Sequence, residues 1–406
     1  TSKPKINISV FNGGSDYSYS PKLLSPSRYI EKSKAVRLQE GVAFDPNDIN
    51  TFLTQTEAEN FRNGNIIDPY GDISQLGTIQ SVSASLSGKT ESVNYYISGS
   101  YSKENGLIIN DSFERLAFKL NLETKINDWL KIGTNTLFSE TDESGLAANV
   151  SFIERQSPFG TWFREDGTPT QFTVPEDPGI SRNPLRATFL RTEEDVKNNL
   201  FANFYTVVDI PKIEGLTYRL NYSNNYRWIK DYQANAQDIY LDTNTKSASK
   251  RNWKASDWVI ENILNYKTKI GDNHSIDLTL LLGSNKEGTE STRASADQLQ
   301  SDLLGWNNLE LGTLFSSEST AEEVTGTSSM ARLNYGYKNK YLLTLTARRD
   351  GSSVFAANNK YATFPSAALT WVASEESFIK DIEFINFLKF RTSYGAVGNQ
   401  AISPYQ

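Results

Sequence analysis

Polar and apolar side chains alternate with a period of two over long stretches of this sequence, and few folds can use that pattern at such length. Between positions 216 and 228 the even residues are Leu216, Tyr218, Leu220, Tyr222, Asn224, Tyr226 and Trp228, whereas the odd ones are Thr217, Arg219, Asn221, Ser223, Asn225 and Arg227. Successive side chains of a strand point to opposite faces, so this segment reads as a strand with one apolar and one polar face. Leu116, Phe118, Leu120 and Leu122 stand in the same way against Arg115, Lys119, Asn121 and Glu123, and Ile276, Leu278, Leu280 and Leu282 against Ser275, Asp277 and Thr279. Thirteen segments have this character: 4–11, 77–88, 93–104, 113–125, 129–140, 197–210, 215–229, 253–268, 274–286, 328–338, 341–350, 363–373 and 388–395. Many run to about 10–14 residues, roughly twice the usual globular strand and enough to cross a bilayer at a tilt.

The connections alternate too. Links at 88–92, 126–128, 211–214, 270–273 and 338–340 are short, and those at 12–76, 141–196, 230–252 and 287–327 are long, with shorter ones at 105–112 and 351–362. Short periplasmic turns and long external loops are the rhythm of an outer-membrane β-barrel, which puts the start of the first strand on the periplasmic side. Trp129, Tyr335, Tyr337 and Tyr341 lie beside short turns, and Tyr226, Trp228 and Trp258 beside long loops, as two interfacial aromatic girdles would require. An Arg facing lipid at the midplane costs about 2–4 kcal/mol, so Arg219 and its odd-numbered neighbours are expected to face the lumen. A soluble β-sandwich or solenoid also alternates, but it fits poorly with strands of this length and with long loops on one parity.

Bacterial barrels hold an even number of strands, and an open sheet in hydrocarbon leaves backbone groups unpaired at its edges. Thirteen segments, ending at Pro404-Tyr405-Gln406 without a terminal aromatic strand, therefore lead to the expectation that residues 1–406 are an internal part of a larger barrel.

Composition closes other routes. The 41 basic and 48 acidic residues give a net charge of −7 with no Lys/Arg block, which argues against nucleic-acid binding. Cysteine is absent and histidine occurs once, at His274, so thiolate metal sites and disulfides are excluded and imidazole chemistry has little room. The longest apolar stretch, around Leu280–Leu282, falls far short of the ~18 residues of a spanning helix.

Local motifs offer little catalysis. Ser87-Gly88-Lys89-Thr90 has Ser83 where a phosphate-binding loop needs Gly, and a strand follows it where a helix is needed. His274 sits at a short turn, away from the long loops, and no Gly-x-Ser-x-Gly motif occurs. Asp166, Glu176 and Asp177 read as solvated loop charge, and Asp45-Pro46-Asn47-Asp48 does not complete a calcium loop. The expectation is no enzyme, no metal and no cofactor. Capture of a sugar or peptide is the better use of the loops: Trp162, Phe163, Arg164 and Asp166, with Trp306 and Asn307 on the later loop, combine flat apolar faces with polar edges. Packing of the loops, or contact with a lid protein, is the favoured explanation for the same rings, with ligand capture the sharper alternative.

Ordered phrases then carry a family resemblance. Asn94-Tyr95-Tyr96-Ile97-Ser98-Gly99-Ser100-Tyr101, Glu104-Asn105-Gly106-Leu107-Ile108, Phe113-Glu114-Arg115 and Asn127-Asp128-Trp129-Leu130-Lys131-Ile132-Gly133 are followed by Arg332-Leu333-Asn334-Tyr335 and Lys340-Tyr341-Leu342-Leu343. Arg348-Arg349-Asp350-Gly351-Ser352-Ser353, Asn359-Lys360-Tyr361, Phe364-Pro365-Ser366 and Gly395-Ala396-Val397-Gly398-Asn399-Gln400 complete the series. From Ile79 onward the sequence resembles SusC/RagA-type TonB-dependent outer-membrane transporters, departing at Val354, where the family often has a basic residue.

The resemblance implies an all-β antiparallel transmembrane barrel of about twenty-two strands. Here the plug domain and the C-terminal strands would be absent. It further implies active import of oligosaccharides or peptides across the outer membrane of a Gram-negative bacterium. The implied partners are a SusD-like lipoprotein lid, the TonB–ExbB–ExbD system acting through the missing plug, and outer-membrane lipid. Arg348, Arg349 and Asp350 would be rim residues; for Arg348 and Asp350, which share the polar face of strand 341–350 near its external end, charge pairing and loop anchoring are favoured over direct ligand contact. A siderophore-type receptor without a lipoprotein lid, or an accessory barrel in secretion or surface assembly, are the alternatives.

Overall fold

A computed structural model describes residues 2–19, 22–238, 244–380, 382–399 and 402. Gln400 of the last motif, and the final Pro404-Tyr405-Gln406, lie outside the described residues. In chain order the elements are β1 (Ser2–Ser15), α1 (Pro26–Gln39), α2 (Gln55–Asn63), β2 (Gly77–Lys89), β3 (Val93–Asn105), β4 (Ser112–Lys125), β5 (Leu130–Asp142), α3 (Arg186–Leu190) and β6 (Arg191–Asp209). They continue with β7 (Leu216–Asn235), β8 (Ser247–Ile270), β9 (His274–Asp297), β10 (Leu314–Tyr337), β11 (Tyr341–Ser352), β12 (Tyr361–Val372), α4 (Ser377–Lys380) and β13 (Lys389–Gly395). The strands form one 13-stranded antiparallel sheet in strict sequence order. Among the described residues β1 pairs with β2 alone and β13 with β12 alone, so this stretch of sheet has two edges.

The register carries the alternation from strand to strand. Phe118 pairs with Phe138, which pairs with Leu200, which pairs with Tyr226. Tyr218, Leu264, Leu280 and Ala331 form a similar row over β7–β10. One face of the sheet is therefore apolar or uncharged across all thirteen strands until the outer ends are reached, and no layer covers it. Ile8 is 72% exposed, Phe204 52% and Leu282 63%. A contiguous apolar surface of this extent lies far beyond what a soluble monomer exposes, and it matches the lipid side of a barrel wall. No helix among the described residues is long and apolar enough to cross a membrane.

The opposite face is polar and hydrogen-bonded. Glu123, Gly133 and Tyr205 stand in one row over β4, β5 and β6. Because Gly133 has no side chain, Tyr205 lies across β5 and donates its hydroxyl to Glu123 Oε2 at 2.8 Å. The Arg219 guanidinium covers the Tyr205 ring at 4.6 Å, and Arg219 Nε donates to Asn221 Oδ1 at 2.7 Å.

The strands from β6 to β10 are longer than the alternation indicates. The regions 230–252 and 287–327, expected as links, are largely strand: β7 and β8 are joined only by 236–246, and β9 and β10 only by 298–313. The reason is chemical. Outside the apolar layer both faces of a strand are wet, so Ser249-Lys250-Arg251-Asn252 and Ser316-Ser317-Glu318-Ser319 lose the alternation while keeping the ladder. The link 12–76 also holds α1 and α2, the latter started by a capping box in which Thr54 and Glu57 satisfy each other's backbone N–H groups.

On the short-turn side, the link after β12 folds back under the sheet. Glu376 there accepts hydrogen bonds from the Tyr341 hydroxyl at 2.6 Å, Trp371 Nε1 at 3.2 Å and Lys340 Nζ at 3.2 Å. These partners, the tyrosine hydroxyl foremost, hold its carboxyl below the usual carboxylate range.

Two outcomes are expected. Leu220→Arg, on the lipid side, lowers stability in bilayers by about 2–4 kcal/mol in denaturant titrations, whereas Asn221→Arg on the neighbouring inner face, although it gives up the hydrogen bond from Arg219, costs less. Glu376 binds its proton less readily folded than unfolded, so its contribution is complete above the ordinary carboxylate pKa and is lost as pH falls through the depressed folded value. Hydrogen exchange at 338–341 should therefore accelerate on acidification below about pH 4, the free carboxylate range, and Glu376→Gln should remove that dependence.

Candidate functional site

Two regions on the long-loop side hold the candidate residues. The first is a packed cap made from the links 16–76 and 143–190 with the β3–β4 loop. Ile73, Ala148, Ile153, Trp162 and Leu185 form its buried centre, flanked by Ile108, Ile109 and Phe163. A neighbouring cluster of Phe52, Leu53 and Ala58 seats α2 against Tyr29 and Ile30 of α1. Tyr29 donates to Glu57 Oε1 at 2.8 Å, and burial, reinforced by that carboxylate, pushes its phenol well above the ordinary range. Glu176 ties the two links together by accepting from the backbone N–H and hydroxyl of Thr56.

The residues expected to capture ligand are distributed through this cap and one other loop. Trp162 is 7% exposed and donates its indole N–H to Asp72 Oδ2 at 2.8 Å. Phe163 is half-buried and meets Phe189 edge-on at 5.1 Å. Arg164 donates to Pro169 O at 2.7 Å and Asp166 Oδ1 accepts from Thr168 N at 2.9 Å, so both are engaged in one tight turn. Trp306 packs in a different cluster, with Ala234, Ala248, Ala296 and Leu299 at the tip of the long strands, and Asn307 beside it is exposed. The two tryptophans thus serve separate cores and do not share one open surface.

The second region is a cleft of about 850 Å³ on the inner face, between the middle of β8–β10 and the outer ends of β11 and β12, and the sequence motifs converge there. Arg348 and Asp350 point into it side by side, with Arg348 Nε donating to Asp350 Oδ1 at 2.9 Å and Oδ2 at 2.8 Å. Their 46% and 31% exposure leaves further donors and acceptors facing the cleft. Glu261 and Glu287 line the wall opposite, and Asn359, Lys360, Phe364 and Asn399 complete the rim. Arg349, between the paired residues in sequence, is on the lipid-side face and stacks over the Tyr361 ring at 4.8 Å. Glu261, Glu287 and Asn285 enter this group only through strand register, which local motifs do not encode; Asp72, the Trp162 partner, is likewise far from it in sequence.

Other motifs are structural. Gly88 and Lys89 end β2, and β3 follows their turn. His274 Nδ1 lies 2.7 Å from the Tyr335 hydroxyl on the short-turn side. Asp45 Oδ1 accepts from Asn47 N at 2.9 Å in a local turn. Among the described residues no group of three His, Cys, Asp or Glu side chains converges as a metal site would.

No protein-family model matches the chain. It is 30% identical, across its whole length, to TonB-dependent receptor P26 of Formosa agariphila, of which it covers 40%. TonB-dependent receptor SusC of Bacteroides thetaiotaomicron is 25% identical over 78% of the chain and 33% of that relative. Among solved structures, the RagAB peptide transporter superposes with a TM-score of 0.84 over 98% of the chain and 48% of its own, at 18% identity, a likeness of fold. The chain thus spans 33–40% of the length of the curated relatives it matches.

If Trp162 acts as the keystone of the cap, Trp162→Ala costs about 3–5 kcal/mol and frees 143–190 for proteolysis. Trp162→Phe keeps part of the packing and forfeits roughly 1.5–3 kcal/mol through the lost hydrogen bond to the Asp72 carboxylate. Limited proteolysis and hydrogen exchange on folded protein read both.

Proposed function

The chain is a homologue of the TonB-dependent receptors of the SusC/RagA kind, and from that premise we propose that it supplies part of the wall and outer loops of a barrel that actively imports large nutrients across the outer membrane. These relatives are receptors and transporters rather than enzymes, and no reaction is assigned to the chain. The observation that carries the reading is the two-sidedness of the sheet: an uncovered face that is uncharged across thirteen strands below their outer ends, backed by a polar face with the Glu123–Tyr205 and Arg348–Asp350 contacts. A wall of that kind separates lipid from a hydrated passage.

Oligosaccharides or peptides are the proposed cargo, with a SusD-like lipoprotein as lid and the TonB system acting through a plug. The mixed charge of the inner cleft, Arg348 and Lys360 against Asp350, Glu261 and Glu287, suits a ligand with many hydrogen-bonding groups of both signs. The packed cap would give the outer mouth a fixed shape, with Asp166 and Asn307 exposed on its loops and Trp162 and Trp306 serving from within.

The test is uptake by cells carrying the full-length receptor. Labelled oligosaccharide or peptide should enter only with the receptor gene present and the proton gradient intact, and a lipoprotein should co-purify with it. Arg348→Ala should weaken apparent affinity by about tenfold through loss of a charge-assisted contact, with the receptor still folded in the membrane. Uptake that persists after the gradient is dissipated, or a surface-export defect in its place, overturns the proposal.

A further inference from the structure

Above the uncharged band, the lipid-side face of the sheet is not uniform in charge. On β7, β8 and β9 that face carries Lys230, Lys254 and Lys286, set beside two tryptophans: Trp228 pairs across to Lys254, and Trp258 to Lys286. Each lysine is steered by one carboxylate, Lys230 by Glu194 at 3.5 Å, Lys254 by Glu290 at 2.8 Å and Lys286 by Glu323 at 2.7 Å. The lysines remain 47%, 51% and 39% exposed, and an ammonium has three donors, so the ion pairs orient them without exhausting them. On β4 and β5 the same face carries Glu114, Glu140 and Asp142 instead, with Glu114 directly opposite Asp142 in the register. Lys103 of β3 reaches only Glu114 among them.

We infer that the lipid-side rim of β7–β9 is a binding surface for phosphate-bearing lipid headgroups, held by Lys230, Lys254 and Lys286. Three observations point to that occupant. The rim continues the uncharged lipid-side band without a break. Tryptophans at its lower edge mark the level where hydrocarbon gives way to headgroups. Compact ammonium charges beside them complement phosphate oxygens, while the acidic rim of β4–β5 repels the same groups. Anionic lipid therefore collects on one sector of the wall.

The inference rests on the barrel reading, and the experiment separates the two. The full-length receptor is reconstituted in phosphatidylcholine bilayers containing a minor fraction of phosphatidylglycerol, and retained lipids are counted by native mass spectrometry. The unmodified receptor should retain phosphatidylglycerol preferentially. Each Lys→Gln change at 230, 254 and 286 should lower that preference by about fivefold, and added salt should weaken it. The variant E114Q/E140Q/D142N should preserve or raise it. If one of these variants fails to insert, the others supply the measurement. A folded lysine variant with unchanged preference overturns the inference, as does equal competition by inorganic phosphate at matched concentration. Failure of the unmodified receptor to insert overturns the barrel reading and this inference together.

Discussion

The structure depends on one requirement: a backbone N–H or C=O in contact with hydrocarbon has no water to bond, so each must find its partner within the protein. Strict nearest-neighbour antiparallel pairing is the solution seen here, with twelve successive ladders and one irregularity, near Ser2 and Lys5 in the first. From that follow the side-chain rules. Since the ladder uses up the backbone, the side chains are divided by face alone, and a slip of one residue at any strand would send Arg219 or Glu261 into the apolar row.

That division explains why some features are legible in the sequence and others are not. The thirteen strands announce themselves where one face is apolar, as at Leu216–Trp228. They go silent where both faces are wet, which is why the outer arms of β7–β10 read as loops although they are continuous with the sheet. The cap shows a different limit. Trp162 on a polar loop is compatible with both a packed core and a ligand platform, and the structure decides for the core, where its indole N–H donates to Asp72, ninety residues away. A loop tryptophan has the same composition whether it is a core residue or a ligand surface, and only the tertiary partner distinguishes them. The Arg348–Asp350 pair lies between these extremes, because strand periodicity puts both on one face while their facing carboxylates come from β8 and β9.

The inner face has its own logic. Polar groups there sit between strands that cannot move apart, so a large side chain must find room along the sheet. Gly133 provides it for Tyr205, and the resulting Glu123–Tyr205 bond spans β5 with Arg219 above the ring. A hydrogen bond with an ionised acceptor contributes roughly 1.5–3 kcal/mol where water is partly excluded. Such contacts stiffen the wall locally, and they do so on the side that a passage would need to keep wet.

Stiffness in the wall and packing in the cap act in the same direction for a proposed importer. A binding surface that is ordered before ligand arrives loses less entropy on capture, so affinity does not have to be gained by closing loops alone. The cap has the buried centre of a small domain, with Ile73 and Ile153 fully enclosed, and it is anchored on strands whose register is fixed by their antiparallel ladders. Order therefore propagates outward, from ladder to strand arm to loop core. The inner cleft lies where the motif strands β11 and β12 meet the longer β8–β10, so its shape is set by the same registers that sort apolar from polar side chains. Changing its specificity by substitution at Glu261 or Glu287 would leave that scaffold intact, because neither side chain takes part in the ladder that defines the wall.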